Sequence, residues 1–239
     1  SGTAPHAWQA APAPAEHKIP PAQHILVHAN RMFVANTTEA GVAHPNRVRW
    51  SIEGIPDNWI ETDYIDFDGG GNGITAIASV QGQLIVFKPN AIFIVYGYDS
   101  EDHQVVQLSA KLGCQSHDYV VASETGVYFY SHPQGLFYYN GSQIVDLFEN
   151  LKSMFPLGHI NFSADEQISV SYVNRRVWVS LPYSKTTNAT TPTVSFIYDP
   201  SISGGSWIAH QAADGYAPIG GTDFTPSEMV TVHVPVPVK

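Results

Sequence analysis

Short runs of β-branched and aromatic residues recur along the chain and stop at Gly, Asn or Pro, the pattern of strands joined by tight turns. Ile25–Ala35 is followed by Arg47–Ser51. Ile74–Phe87 carries a Gln81-Gly82 turn, and Ala91–Tyr96 follows Pro89-Asn90. Tyr119–Tyr130 turns at Glu124-Thr-Gly126, and Leu136–Tyr139 follows Pro133-Gln-Gly135. Ile168–Leu181 turns at Asn174-Arg175, and Thr193–Tyr198 follows a Thr-rich stretch. Each pair reads as a hairpin, because two residues able to take positive φ suit the twist of antiparallel strands.

The runs also repeat. The second strand of each hairpin is anchored at Met32-Phe-Val34, Leu84-Ile-Val86, Val127-Tyr-Phe129 and Val177-Trp-Val179. A return strand ending in an aromatic or valine follows each anchor, at Arg47–Trp50, Ile92–Val95, Leu136–Tyr139 and Ser195–Tyr198. An all-strand period of roughly 40–50 residues is that of propeller blades. The expected fold is therefore all-β, a propeller-like repeat of four-stranded antiparallel blades. Four units are complete and Tyr216–Phe224 begins or closes another, giving four to five blades. A β-sandwich with accidental regularity is the competing fold. One segment departs from the strand pattern: Leu147, Phe148, Leu151, Met154 and Phe155 have helical spacing. With Asp146 as cap and Pro156 as stop, a short helix is expected over 147–155.

Both ends are Pro-rich. Ala11–Ala15 and Ile19–Ala22 lack the amide donors a ladder needs, so residues 1–22 read as an extended arm. Residues 226–239 end in alternating valine and proline, which suits a position along a neighbour but not a central strand. The body spans 23–225. Ser1–Lys18 has no apolar core of signal-peptide length and reads as a processed or excised terminus.

Composition narrows the function classes. Only 13% of residues are charged against 44% hydrophobic, so much of the surface is uncharged or in contact with partners. The formal net charge is −10 with 11 Lys plus Arg, which speaks against gripping nucleic acid or an anionic membrane. No sequence-specific nucleic-acid binding and no membrane insertion are expected. Cys114 is the single cysteine, so no internal disulfide is available.

Candidate chemistry is sparse. There is no nucleophile elbow, phosphate loop or His-Glu-x-x-His motif. Cys114 lies near His117 in sequence but reads as a buried thiol. His24 and His28 share a strand face yet sit about 13 Å apart at strand rise, too far for one ion. The Gly-rich stretch Asp63–Gly73 offers Asp66, Asp68 and Asn72 as oxygen ligands for a cation loop, though its spacing is not that of an EF-hand. Its ordinary reading is a connection between blades. Trp50, Trp59 and Trp207 are candidate aromatic contacts: exposed on loops they would stack on sugar rings, and buried they would pack between blades. No catalytic residue or cofactor is assigned, and the chain does not read as an enzyme.

From Pro21 to Gly141 the chain resembles the β-propeller part of tailed-bacteriophage tail proteins, the tail-tube, nozzle or hub proteins of short-tailed phages. The resembling residues are His28–Val34, Arg47-Val-Arg-Trp-Ser51, Asp57-Asn-Trp59, Tyr64-Ile-Asp66 and Gly73–Ile77. Leu84–Lys88, Ala91-Ile-Phe93, Gly113-Cys114, Val127-Tyr-Phe129 and Gly135–Gly141 continue the series. The resemblance implies a virion component, assembled in the host cytoplasm into the tail in several copies around the DNA channel. Its partners would be copies of itself and neighbouring tail proteins, as tube, nozzle, adaptor or hub. The competing reading is a carbohydrate-binding propeller, an adhesin or lectin for host-surface glycans.

Overall fold

A computed structural model describes residues 19–97, 102–149, 151–152, 160–161, 168–183, 194–202, 205–211 and 229–230. Four antiparallel sheets follow one another along the chain, and in each the strand order equals the sequence order. The first sheet holds β1 (Ala22–His28), β2 (Arg31–Glu39), β3 (Val42–Ile52) and β4 (Ile55–Asp66). The second holds β5 (Ala76–Val80), β6 (Gln83–Lys88), β7 (Ala91–Tyr96) and β8 (Gln104–Ser109). The third holds β9 (Val120–Ala122), β10 (Val127–Ser131), β11 (Gly135–Tyr139) and β12 (Ile144–Asp146). The fourth holds β13 (Ser169–Val173), β14 (Arg176–Leu181), β15 (Val194–Asp199), β16 (Ser206–Gln211) and β17 (Met229–Val230).

These are propeller blades. The first strands lie side by side in series, β1 against β5, β5 against β9 and β9 against β13, and the sheets fan outward from them. No comparable contact joins β13 to β1 among the described residues, so the blades form an open series. The anchors predicted from sequence are β2, β6, β10 and β14, the second strand of every blade, and the predicted return strands are the third. Two-residue turns with both φ positive join β1 to β2 at Ala29-Asn30, β5 to β6 at Gln81-Gly82 and β13 to β14 at Asn174-Arg175.

Face-to-face stacking explains the strand patterns. Phe33, Ala35, Val48 and Trp50 of the first blade pack on Ile77, Leu84, Val86, Phe93 and Val95 of the second. The second blade's opposite face, with Ala78, Ile85, Phe87 and Ile94, joins the core it shares with the third. Phe87 meets Phe129 there at 5.3 Å between ring centroids. Strands covered on both sides read as unbroken apolar runs, which is why Leu84–Phe87 and Val127–Tyr130 do not alternate.

The first blade's outer face is different. Arg47 donates to both Asp66 oxygens at 2.8 Å, reaches Glu39 at 3.1 Å and lies over the Tyr64 ring. Arg49 joins Glu39 at 3.4 Å. This ionic layer ends the stack in the way a polar capping repeat ends a solenoid.

The helix expected over 147–155 does not form in its described part. Residues 147–149 and 151–152 make bends and one turn, closed by Leu151 and Lys152 amides on the Phe148 carbonyl; residues 153–155 lie outside the described residues. The expected cap is present, since Asp146 Oδ1 accepts from the Phe148 amide at 2.9 Å. Helical spacing here records a single turn that drives Phe148 and Leu151 into the core. The stretch read as a blade connection from Asp63 is also shorter than expected, because Asp63–Asp66 belong to β4 and the connection is Phe67–Thr75. Of the segment read as a C-terminal arm, Met229–Val230 pairs with β16. Residues 1–18 and Tyr216–Phe224 lie outside the described residues.

Candidate functional site

A group of polar contacts lies where connections between the first three blades meet. Its centre is Lys88, the last residue of β6, whose side chain is fully buried. The ammonium donates to the Phe67 carbonyl at 2.8 Å and to Asn46 Oδ1 at 3.0 Å. Burial lowers its pKa, and the nearby Asp68 charge opposes that shift. Lys88 thus ties the start of the Gly-rich connection, at Phe67, to Asn46 of β3.

Backbone bonds tie the same region together. The Asn90 amide donates to Gly70 O, the Cys114 amide to Lys88 O, and the Phe67 amide to Asn46 O. Thr75 Oγ1 donates to the carbonyl of Cys114. Gly113 is forced by close approach: a Cβ there would stand 2.2 Å from Lys88 O and 2.4 Å from Pro89 O. Gly113→Ala is therefore expected to lose about 1–3 kcal/mol of stability through displacement of this junction, measured by urea unfolding. An unchanged midpoint would show that the junction yields freely.

Of the sequence-predicted cation ligands, Asp66 has a partner within the protein. Asp66 is committed to Arg47, while Asp68 and Asn72 are exposed. Among the described residues no group of three or more His, Cys, Asp or Glu side chains is placed to hold a metal ion. Arginine has taken the carboxylate, because Arg47 and Asp66 face each other across β3 and β4.

Trp50, Trp59 and Trp207 are packing residues. Trp50, Trp59 and Trp207 are buried, at 3%, 1% and 5% exposure. Trp59 Nε1–H donates to Pro56 O at 2.9 Å, and Trp50 packs edge-on against His103. Trp207 is enclosed by Phe148, Phe196 and Tyr198. None of the three presents a face for sugar stacking.

Cys114 is fully buried, its thiol donates to Ser116 O, and burial pushes its pKa far up, which favours the protonated thiol. His117 faces His24 instead, with ring centroids 5.7 Å apart. His24 Nε2 lies 3.1 Å from Ile74 O, and His28 Nδ1 lies 2.8 Å from Ser79 Oγ. Burial lowers both pKa values, helped by the charge of His117 on His24 and of His103 on His28. A depressed histidine pKa contributes stability above its unfolded value of about 6.5, lost as pH falls through the folded value. The melting temperature is therefore expected to drop between pH 7.5 and pH 5, and the double substitution of His24 and His28 by Gln to flatten that slope. Equal slopes would remove these residues from the acid response.

Sequence reasoning did not find Lys88 as an internal group. The available signal was one cation closing an otherwise apolar run, Leu84-Ile-Val-Phe-Lys88, directly before a Pro-Asn turn.

No family model matches the chain, and no curated protein matches it. Among solved structures, the chain is similar to the N-terminal domain of Nup159, at 12% identity and a TM-score of 0.42. That likeness covers 83% of this chain and 47% of the other. It is also similar to the computationally designed Ika8 protein, at 10% identity, a TM-score of 0.38, and coverage of 83% and 60%. The chain thus spans less than two thirds of either structure. Neither likeness bears on what the chain does. The fold assignment rests on the four stacked antiparallel sheets. Among the described residues no helix is long and apolar enough to cross a membrane.

Proposed function

We propose that this chain is a structural component of a bacteriophage tail, assembling in several copies around the DNA channel. The observation that carries the reading is that several of the candidate chemical groups serve the blade packing. Trp50, Trp59 and Trp207 are interior, the Cys114 thiol is interior, Asp66 is held by Arg47, and Lys88 is enclosed by its own connections. The surface includes exposed apolar side chains, Ile25 and Val27 on β1 and Val105 and Val106 on β8. Such surface suits contacts between subunits.

The resembling segments support the reading because they fall on the strands that build blades. Arg47–Ser51 lies in β3, Leu84–Lys88 in β6, Val127–Phe129 in β10 and Gly135–Tyr139 in β11. A net charge of −10 suits a wall past which DNA slides without adhering, since like charge keeps phosphates off the surface. Trp50, Trp59 and Trp207 are interior, which weighs against sugar stacking on those three, while Trp178 is half-buried.

The test is location. Antibodies raised against the purified chain, applied to particles of the phage that encodes it, are expected to label the tail in negative-stain images. Unlabelled particles, together with chain found only outside them, would overturn the proposal. Selective binding of the purified chain on a glycan array would move it to the adhesin class.

A further inference from the structure

Histidine fastens β1 to the rest of the stack. His24 is half-buried, and its Nε2 lies 3.1 Å from the carbonyl of Ile74, in the connection to the second blade. A carbonyl only accepts, so Nε2 carries a proton and the second ring nitrogen is left to take one. The same carbonyl accepts from Asn36 Nδ2 of β2 at 3.2 Å, and Asn36 also donates to Gln23 Oε1 at 2.9 Å. The exposed ring of His117 faces His24, with centroids 5.7 Å apart and planes tilted by 34°. His117 begins the short turn His117–Tyr119 that delivers the chain to β9. One pair of imidazoles thus joins the first blade, the first connection and the entry to the third blade.

Among the described residues, the polar groups gathered round His24 are Gln23 of β1, Asn36 of β2, the Ile74 carbonyl and His117, and none is a carboxylate. Asp118, next in the turn, is exposed, and its charge bears on the Cys114 thiol. The charge that acts on His24 is that of His117, and together with burial it lowers the His24 pKa. The turn also closes over Cys114, the single cysteine. Ser116 O accepts from the Cys114 thiol at 2.8 Å and from the Tyr119 amide at 3.2 Å. Ser116 Oγ accepts from the Asp118 amide at 3.3 Å, and buried Tyr119 meets Tyr130 edge-on at 6.0 Å. A turn drawn away from β1 takes the cover off the thiol.

We propose that His24 and His117 form a proton-operated latch that holds the Ser116–Tyr119 turn to the first blade at neutral pH and releases it in acid. Protonation of both rings sets two like charges against each other, and the turn opens and uncovers Cys114. The opening is local, since no sheet ladder passes through the turn. The latch belongs to the blade stack and does not depend on the phage assignment.

Labelling of Cys114 in the full chain by dithiodipyridine, a disulfide reagent that reacts with thiols in acid, tests it. Each rate is divided by that of the urea-unfolded chain at the same pH, which removes the reagent's own pH dependence. The normalised rate is expected to rise about fivefold or more from pH 7.5 to pH 5.5, with the far-UV circular dichroism unchanged. Salt at about 1 M screens like charges and is expected to shrink that rise in the native chain. His117→Gln removes one charge at an exposed position and is expected to abolish most of it. A flat rate in the native chain, an equal rise in the His117→Gln chain, a rise untouched by salt, or a rise that comes only with loss of the dichroism would overturn the proposal. The readout uses no phage particle, so its failure is distinguishable from failure of the tail assignment.

Discussion

Phe148→Ala is expected to lower stability by about 3–5 kcal/mol, the cost of deleting a fully buried aromatic whose surroundings cannot collapse onto the gap. Phe148 packs edge-on against Phe196 at 5.4 Å, Trp207 at 5.3 Å and Tyr130 at 6.5 Å between ring centroids. Tyr130 belongs to the third blade and the other two to the fourth, so one ring joins two sheets. Its backbone is fixed independently by the Asp146 cap and by Gly135, where a Cβ would lie 2.9 Å from that of Phe148. A fixed backbone keeps the neighbours from closing in, which places the cost in the upper part of the range. Urea unfolding should show a lower midpoint with an unchanged slope. A loss below about 1 kcal/mol would mean that the third and fourth blades are held together elsewhere.

Lys88→Ala is expected to cost about 2–5 kcal/mol, because it strands two acceptors at about 1–3 kcal/mol each. Those acceptors are the Phe67 carbonyl and Asn46 Oδ1, which have drawn the ammonium away from water. Removing the charge also removes the cost of burying it, so the net loss is smaller than the bonds alone would suggest. Lys88→Met keeps the aliphatic stem and separates the two contributions: what it loses relative to the native chain is the polar part, and what alanine loses beyond it is packing. Amides of the Phe67–Thr75 connection should exchange faster in both variants. A neutral alanine variant would show that the connection holds its shape without the lysine.

The blade repeat was legible because it rests on two local signals, strand periodicity and turn chemistry. Arg47-Val-Arg-Trp-Ser shows both sides of a sheet in five residues: Val48 and Trp50 enter the core, while Arg47 and Arg49 build the ionic layer outside. The fourth strands were not legible. β8 has exposed valines on both faces and so lacks the alternation of a half-buried strand, and β12 is too short to carry a period. The 147–155 segment misled because a single turn places Phe148 and Leu151 inward as a helix would. The site was less legible still. Acidic and Gly-rich composition pointed to a cation at Asp66, Asp68 and Asn72, but the partners found there are Arg47, 19 residues from Asp66, and Lys88, 21 residues from Phe67. Pairings at that distance come from blade stacking, which no local pattern encodes.

The central claim is that the chain is a self-associating structural element. The direct measurement is its mass by light scattering across concentration, with negative-stain images of the same samples. The account predicts mass rising with concentration toward ring-shaped or serial particles. A monomer mass at every concentration, with images of single separate particles, would contradict it.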